Sequence, residues 1–297
     1  MKLLSIRTLA TLAIFAMLAV ASASAQKVTS GEWSASAGHK DENKINLNFK
    51  LVTDEGSKSQ YGSDYELSEL GLTKEQVANG GPVRFRIARE AGTIDCEGTF
   101  QTGKGSGTFQ FTPNQAFVSA MKTRGYDFEA ESDGRNRHSG DRLFTAATVN
   151  VTTALADDLA TGGFGKLNID DLFKAAIFKI DSPFMREMKA SGYPNLGMEE
   201  LVKARIFKID GEFLREVTQM GFDKQPFEDL VKMRIFKVTP EFITEVKNEG
   251  LTNLDMEELV KLRIFKIDSA FIRQARAEGV PMEVEKLVQR RIGVGRN

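Results

Sequence analysis

The chain has 297 residues, with 40 Lys and Arg against 41 Asp and Glu, one cysteine and two histidines. The near balance of charge argues against a nucleic-acid binder, which carries a basic excess, and a single cysteine excludes an intrachain disulfide framework. His39 and His138 stand far apart in sequence and lack the helical two-histidine spacing of a zinc protease.

Residues 1–25 read as a secretory signal peptide. Lys2 and Arg7 form a basic start, Leu9 to Val20 a short apolar run, and Ala23-Ser24-Ala25 a small-x-small cleavage site. The run is shorter than an ordinary membrane span. No later stretch is apolar enough to cross a bilayer, and no cysteine near the cleavage point offers a lipid anchor. The expectation is a periplasmic or secreted chain.

Residues 26–112 change to a period of two. Ile45, Leu47, Phe49 and Leu51 alternate with polar residues, as do Val83, Phe85 and Ile87, then Phe109 and Phe111. Trp33, Ala35 and Ala37 share the apolar side of a first strand. This is the pattern of antiparallel strands with one dry face. Glu90-Ala91-Gly92-Thr93 and Thr102-Gly103-Lys104-Gly105 are glycine-bearing hairpin connections. Tyr61 to Leu67 is a weaker strand, and Leu67 to Ala78 a short inserted helix. The result is a β-meander of about six strands. Its apolar face is closed either by its own curl or by the first helices that follow. Cys96 alternates inward with Ile94 and Phe100, so it reads as a small buried apolar residue, with a redox role as the other reading. Gly103 to Gly107 sits in a hairpin rather than a strand-to-helix turn, so it does not read as a phosphate loop.

Residues 113–151 connect. Pro113 opens a helix that Gly125 stops. Glu131 to Gly140 is a polar surface loop whose basic residues spoil any calcium-loop pattern. A divergent half-repeat spans about Asp141 to Val151.

Residues 152–297 are a helical repeat. Ile177-Phe178-Lys179-Ile180-Asp181 returns as Ile206-Phe207-Lys208-Ile209-Asp210, then at Ile235 and Ile264, each copy 29 residues after the last. A fixed period of that size marks stacked supersecondary units. Each period holds two short helices. The first is N-capped by Thr152, Asp181, Asp210, Thr239 or Asp268 and stopped by Gly163, Gly192, Gly221, Gly250 or Gly279. In the second, Asp255 and Glu258 have capping-box spacing. Glu199/Lys203, Glu228/Lys232 and Glu257/Lys261 are i,i+4 pairs. Five hairpins follow, forming a short α-solenoid. The fold class is α+β.

The period also creates ladders. Lys179, Lys208, Lys237 and Lys266 form one, either simply solvated or a basic stripe that binds an acidic partner. Arg205, Arg234 and Arg263 form a second, structural ladder, broken by Ala176. These arginines either cap helix C-termini or, because Arg205 falls within the apolar arc, meet the Asp N-caps or glutamates of a neighbouring repeat.

The Leu-Val-Lys-Leu-Arg-Ile-Phe-Lys-Ile-Asp-x-x-Phe repeat, together with Gly98-Thr99-Phe100 through Pro113, resembles the extracytoplasmic β-rich and repeat segments that accompany BlaR1-type antirepressor proteins. The peptidase of that family has no counterpart here, so the resemblance implies a sensor-like or interaction module without its activity. No catalytic, metal or cofactor constellation emerges from the residues. The expectation is a non-enzymatic module that binds another envelope or secreted protein. The alternative is a small-molecule or envelope-fragment binder using the β domain.

Overall fold

A computed structural model of the chain describes residues 29–38, 41–52, 58–130 and 139–294. The expected signal peptide, both histidines and residues 131–138 of the expected polar loop lie outside the described residues.

Six strands follow from the period-two segments: β1 (Thr29–Ala37), β2 (Lys44–Val52), β3 (Lys58–Glu66), β4 (Gly81–Arg89), β5 (Gly92–Gln101) and β6 (Lys104–Pro113). They form one antiparallel sheet in the order β3-β2-β1-β6-β5-β4. The sheet is therefore two three-stranded meanders joined by the β1–β6 pair, with β3 and β4 at opposite edges. Trp33 and Ala35 are buried, whereas Ala37 at the strand end is exposed. The β5–β6 connection is two residues long, with both Thr102 (φ 49°) and Gly103 (φ 75°) left-handed. Paired positive φ values match the right-handed twist of the flanking strands.

The expected single helix over Leu67–Ala78 is instead a 3-10 turn (Ser68–Leu70) followed by α1 (Lys74–Asn79). Gly71 at φ 65° reverses the chain between them. Thr73 and Gln76 then start the new helix with a reciprocal capping box. The 3-10 turn touches both edge strands, and its Glu69 pairs with Arg89 at the end of β4. The sheet thus curls until one short turn spans its two edges.

Helices α2 (Gln115–Thr123) and α3 (Ser139–Thr148) follow. Pro113 does not open α2; it ends β6, and the Asn114 side chain accepts from the Ala116 amide as the cap. Helix α3 lies in the concave face of the sheet. Its Phe144 is fully buried, with ring centroids 5.6 Å from Phe49, 5.5 Å from Tyr61, 5.4 Å from Phe111 and 5.0 Å from Phe109, on which it stacks. Curl and helix therefore close the core together. Cys96 is buried within that core as a free thiol, and burial pushes its pKa up, away from thiolate chemistry.

Five hairpins then stack: α4 (Thr153–Thr161) with α5 (Ile169–Phe178), α6 (Ser182–Ala190) with α7 (Met198–Phe207), α8 (Gly211–Gln219) with α9 (Phe227–Phe236), α10 (Pro240–Asn248) with α11 (Met256–Ile264), and α12 (Ser269–Ala277) with α13 (Val284–Ile292). Second helices pack on second helices in succession, α5 on α7, α7 on α9, α9 on α11, α11 on α13. The first three of the first helices, α4, α6 and α8, are linked by carboxylates that reach the next helix start. Asp158 accepts from the Ser182 amide at 2.7 Å, and Glu187 from the Gly211 amide at 2.9 Å. Helix α3 sits 29 residues upstream of α5, with Phe144 at the register of Phe173. It occupies the place of a second helix but is diverted into the sheet, so one continuous core joins sheet and array.

The phenol of Tyr65 marks that junction. It is buried and donates to the Thr148 carbonyl at 3.2 Å, and burial pushes its pKa up to about 12 despite nearby Arg89. An unfolded tyrosine titrates near pH ~10. The folded state therefore favours the neutral phenol, and the linked stability is complete below ~10 and declines as pH rises from there towards 12. Urea midpoints measured across that window should fall more steeply for the parent than for Tyr65→Phe. Equal slopes would contradict the assignment.

Candidate interaction face on the helical array

The recurring pentapeptide builds the C-terminus of each second helix. In α5, Ile180 turns into the core and its amide donates back to the Ala175 carbonyl at 2.9 Å. Ile209 to Ala204, Val238 to Met233 and Ile267 to Leu262 repeat the bond at 2.8, 2.9 and 2.8 Å. This six-to-one closure is a Schellman motif, whose C′ residue must be left-handed. That residue is Lys179, Lys208, Lys237 or Lys266, at φ 53°, 53°, 54° and 51°. The first helices use glycine at the same place, Gly163, Gly192, Gly221, Gly250 and Gly279, at φ 77° to 98°. Helix α13 also ends in glycine, Gly293 at φ 79°.

The lysines thus occupy a backbone conformation that glycine adopts more cheaply. A left-handed residue with a Cβ costs about 1–2 kcal/mol, and glycine returns about 0.5–1 kcal/mol of that in chain entropy. Lys208→Gly and Lys237→Gly should therefore each stabilise the fold by roughly 0.5–1 kcal/mol. Thermal unfolding checks this; a fall in Tm would show that the lysine side chains stabilise the cap.

The arginine ladder is structural: it caps helix C-termini, those of the preceding repeat, and does not meet the Asp N-caps or glutamates of the alternative reading. Arg205 Nη2 donates to the Lys179 carbonyl at 2.6 Å, and its guanidinium lies 3.6 Å from the Phe184 ring centroid. Arg234 repeats this on the Lys208 carbonyl at 2.7 Å and on Phe213 at 3.8 Å. Arg263 Nε donates to the Phe236 carbonyl at 2.8 Å, over Phe242 at 4.7 Å. The N-cap side chains are instead engaged within their own helices. Thr152, Asp181, Asp210, Thr239 and Asp268 each accept from the third amide of their own helix, at 3.0, 2.9, 3.0, 3.3 and 2.8 Å. What remains unsatisfied is the bare carbonyls at the end of the previous second helix, where positive charge is also favoured. Arg291 extends the ladder, donating to the Phe265 carbonyl at 3.0 Å over Phe271 at 4.9 Å. It stands 28 residues after Arg263 rather than 29, which hid it from the repeat.

Three of the four mid-helix lysines are ion-paired between repeats. Lys174 meets Glu199 at 2.5 Å, Lys203 meets Glu228 at 2.5 Å, and Lys261 meets Glu285 at 2.7 Å. These carboxylates hold the ammonium pKa values above the ordinary lysine value. Of the expected i,i+4 pairs only Glu257/Lys261 forms, at 3.5 Å. Glu199/Lys203 and Glu228/Lys232 give way, because stacking brings the next repeat's glutamate to Lys203 and Asp229 sits 2.7 Å from Lys232.

Against this paired background two rows stand out. Lys179, Lys208, Lys237 and Lys266 are exposed and make no ion pair among the described residues. Beside each, two residues earlier, is an isoleucine left in water: Ile177, Ile206, Ile235 and Ile264 are 53%, 53%, 49% and 47% exposed, and Ile292 continues the row at 56%. The intervening Phe178, Phe207, Phe236 and Phe265 are half-buried. Sequence reasoning singled out the lysines and missed the isoleucines. Each isoleucine lies one turn beyond a buried valine or its equivalent, Ile206 after Val202 and Ile235 after Val231. A wheel places it at the margin of the apolar arc, and only the packed stack shows which side of the margin is wet.

The sheet domain offers less. One surface hollow, about 940 Å³, is lined in part by Arg84, Arg86, Asp95 and Glu97, and these neutralise one another through Arg84–Glu97 (3.2 Å) and Arg86–Asp95 (2.6 Å). Among the described residues no group of His, Cys, Asp and Glu is placed to hold a metal ion. No described helix is long and apolar enough to cross a membrane. No family model, curated protein or solved structure matches the chain.

Proposed function

We propose that the protein is a non-enzymatic protein–protein interaction module working outside the cytoplasm, and that it binds through the isoleucine–lysine face of its second-helix row. The observation that carries this reading is the exposed isoleucine row, Ile177 to Ile292, running beside four lysines that make no ion pair among the described residues. Aligned repeats present such a face as a continuous surface, and rows of exposed apolar side chains with a charged rim are where soluble proteins bind one another. The signal-peptide reading of residues 1–25 supports an extracytoplasmic setting. The resemblance to segments accompanying BlaR1-type proteins supports a sensor-like role.

The test is capture from native envelope extract. The chain from residue 26 onward is the bait, beside a variant carrying Ile206→Glu and Ile235→Glu. Both sites are about half exposed, so the variant should keep its circular dichroism and Tm while losing at least about tenfold of the retained partner, or ~1.4 kcal/mol. Equal retention by both baits would refute this face.

A further inference from the structure

Resting on that reading, we infer that the occupant of the face is an acidic amphipathic α-helix of a partner protein, laid along the isoleucine row with one apolar residue per repeat. Pitch is the first argument. Second helices that pack directly on one another stand about 8–10 Å apart, so successive isoleucines recur at about that spacing. Along an α-helix the side chains at i and i+7 return to one face after about 10.5 Å. An extended strand repeats on one face every ~6.8 Å, which falls out of step after one repeat. A helix with apolar residues at heptad spacing therefore tracks Ile177, Ile206, Ile235 and Ile264 more closely than a strand does, and a polyproline segment, at ~9.3 Å per turn, is the competitor that the test must separate.

Charge is the second argument. On the flank towards the helix middle, Lys174, Lys203 and Lys261 are already neutralised by Glu199, Glu228 and Glu285. On the flank beyond the helix end, Lys179, Lys208, Lys237 and Lys266 carry charge that nothing among the described residues balances. The face is thus asymmetric, and a helix carrying Asp or Glu on one side of its apolar seam complements it. An anionic bilayer fits less well. A flat anionic sheet would also lie over the flank that the pairs Lys174–Glu199, Lys203–Glu228 and Lys261–Glu285 leave neutral, where it gains no pairing.

The third argument is the backbone. Lysine recurs four times in a left-handed cap where the first helices and the last repeat use glycine. A cap needs no side chain there, whereas an acidic partner does.

Fluorescence anisotropy with synthetic probes tests this on the chain from residue 26 onward. The probe is a labelled peptide four heptads long with Leu at every seventh position and Glu on one flank. Controls are the same peptide with Lys for Glu, the same peptide broken by two prolines, a Glu-bearing polyproline peptide, whose turns recur every ~9.3 Å, and phosphatidylglycerol vesicles. The acidic helix should bind at least about tenfold more tightly than any control, and more weakly at high salt. Ile206→Glu with Ile235→Glu should abolish binding. Lys208→Gly with Lys237→Gly should weaken it while Tm rises. Absence of saturable binding, equal binding of the lysine or polyproline peptides, or tighter binding to vesicles would overturn the assignment. Probe failure with intact partner capture would reject this partner chemistry alone; failure of both would reject the interaction face itself.

Discussion

Phe144→Ala should cost about 3–5 kcal/mol, the usual penalty for deleting a fully buried ring. Phe144 touches aromatic rings from β2, β3 and β6 and belongs to the helix that fills the curl of the sheet. Its loss leaves a cavity between rings that rigid strands hold apart, so the site cannot collapse to fill it. The effect should also be uneven. Trp33, the single tryptophan, is 2% exposed in the sheet core and reports that domain by fluorescence. Far-ultraviolet circular dichroism is dominated by the array. In the parent the two urea transitions should coincide, because one core runs through both. In Phe144→Ala the fluorescence transition should move to lower urea ahead of the dichroism. A shift below ~1 kcal/mol, or two signals that move together, would mean that α3 does not couple sheet to array.

The second large effect is expected at Arg234→Ala. Removing the guanidinium strips the Lys208 carbonyl of its donor, a loss of about 1.5–3 kcal/mol for a hydrogen bond made by a charged group. It also bares the Phe213 face, worth about 0.5–2 kcal/mol. The sum is roughly 2–4 kcal/mol by urea unfolding. Arg234→Lys should recover part of it, since an ammonium can still approach the carbonyl but lacks the flat surface that stacks on the ring. Equal losses in the two variants would show that the stack contributes nothing. Full stability in Arg234→Ala would mean that water replaces the guanidinium without cost.

Much of the array is legible in the chain because its signals are local. Thr152, Asp181, Asp210, Thr239 and Asp268 sit three residues before the amides they accept from, and Gly192 or Gly221 needs no distant partner to stop a helix. The features that escaped are those that stacking creates. Arg205 reads either as a cap on a helix C-terminus or as a buried charge in search of a carboxylate; that the carbonyl it caps belongs to the previous repeat leaves no trace in residue pattern. Glu228 serves Lys203 rather than Lys232 because the neighbouring helix comes closer than the next turn. The β1–β6 pair joins strands about 75 residues apart, and alternation alone does not specify such a partner. Helix α3 keeps the repeat's spacing while abandoning its packing, so periodicity placed it and the sheet decided its use. The lysine caps were hidden for a different reason: lysine carries no preference for left-handed backbone, so Lys179 and Lys208 look like ordinary surface charges until φ is known.

The isoleucine–lysine face is tested most directly by site-specific photo-cross-linking in envelope extract. A photoreactive phenylalanine is placed at Ile206 in one bait and at Glu212, an exposed site on first helix α8, in another. Partner adducts formed from position 206 and absent from position 212 are the predicted result. Adducts from 212 alone, or at equal yield from both, would contradict a binding face made by the second-helix row.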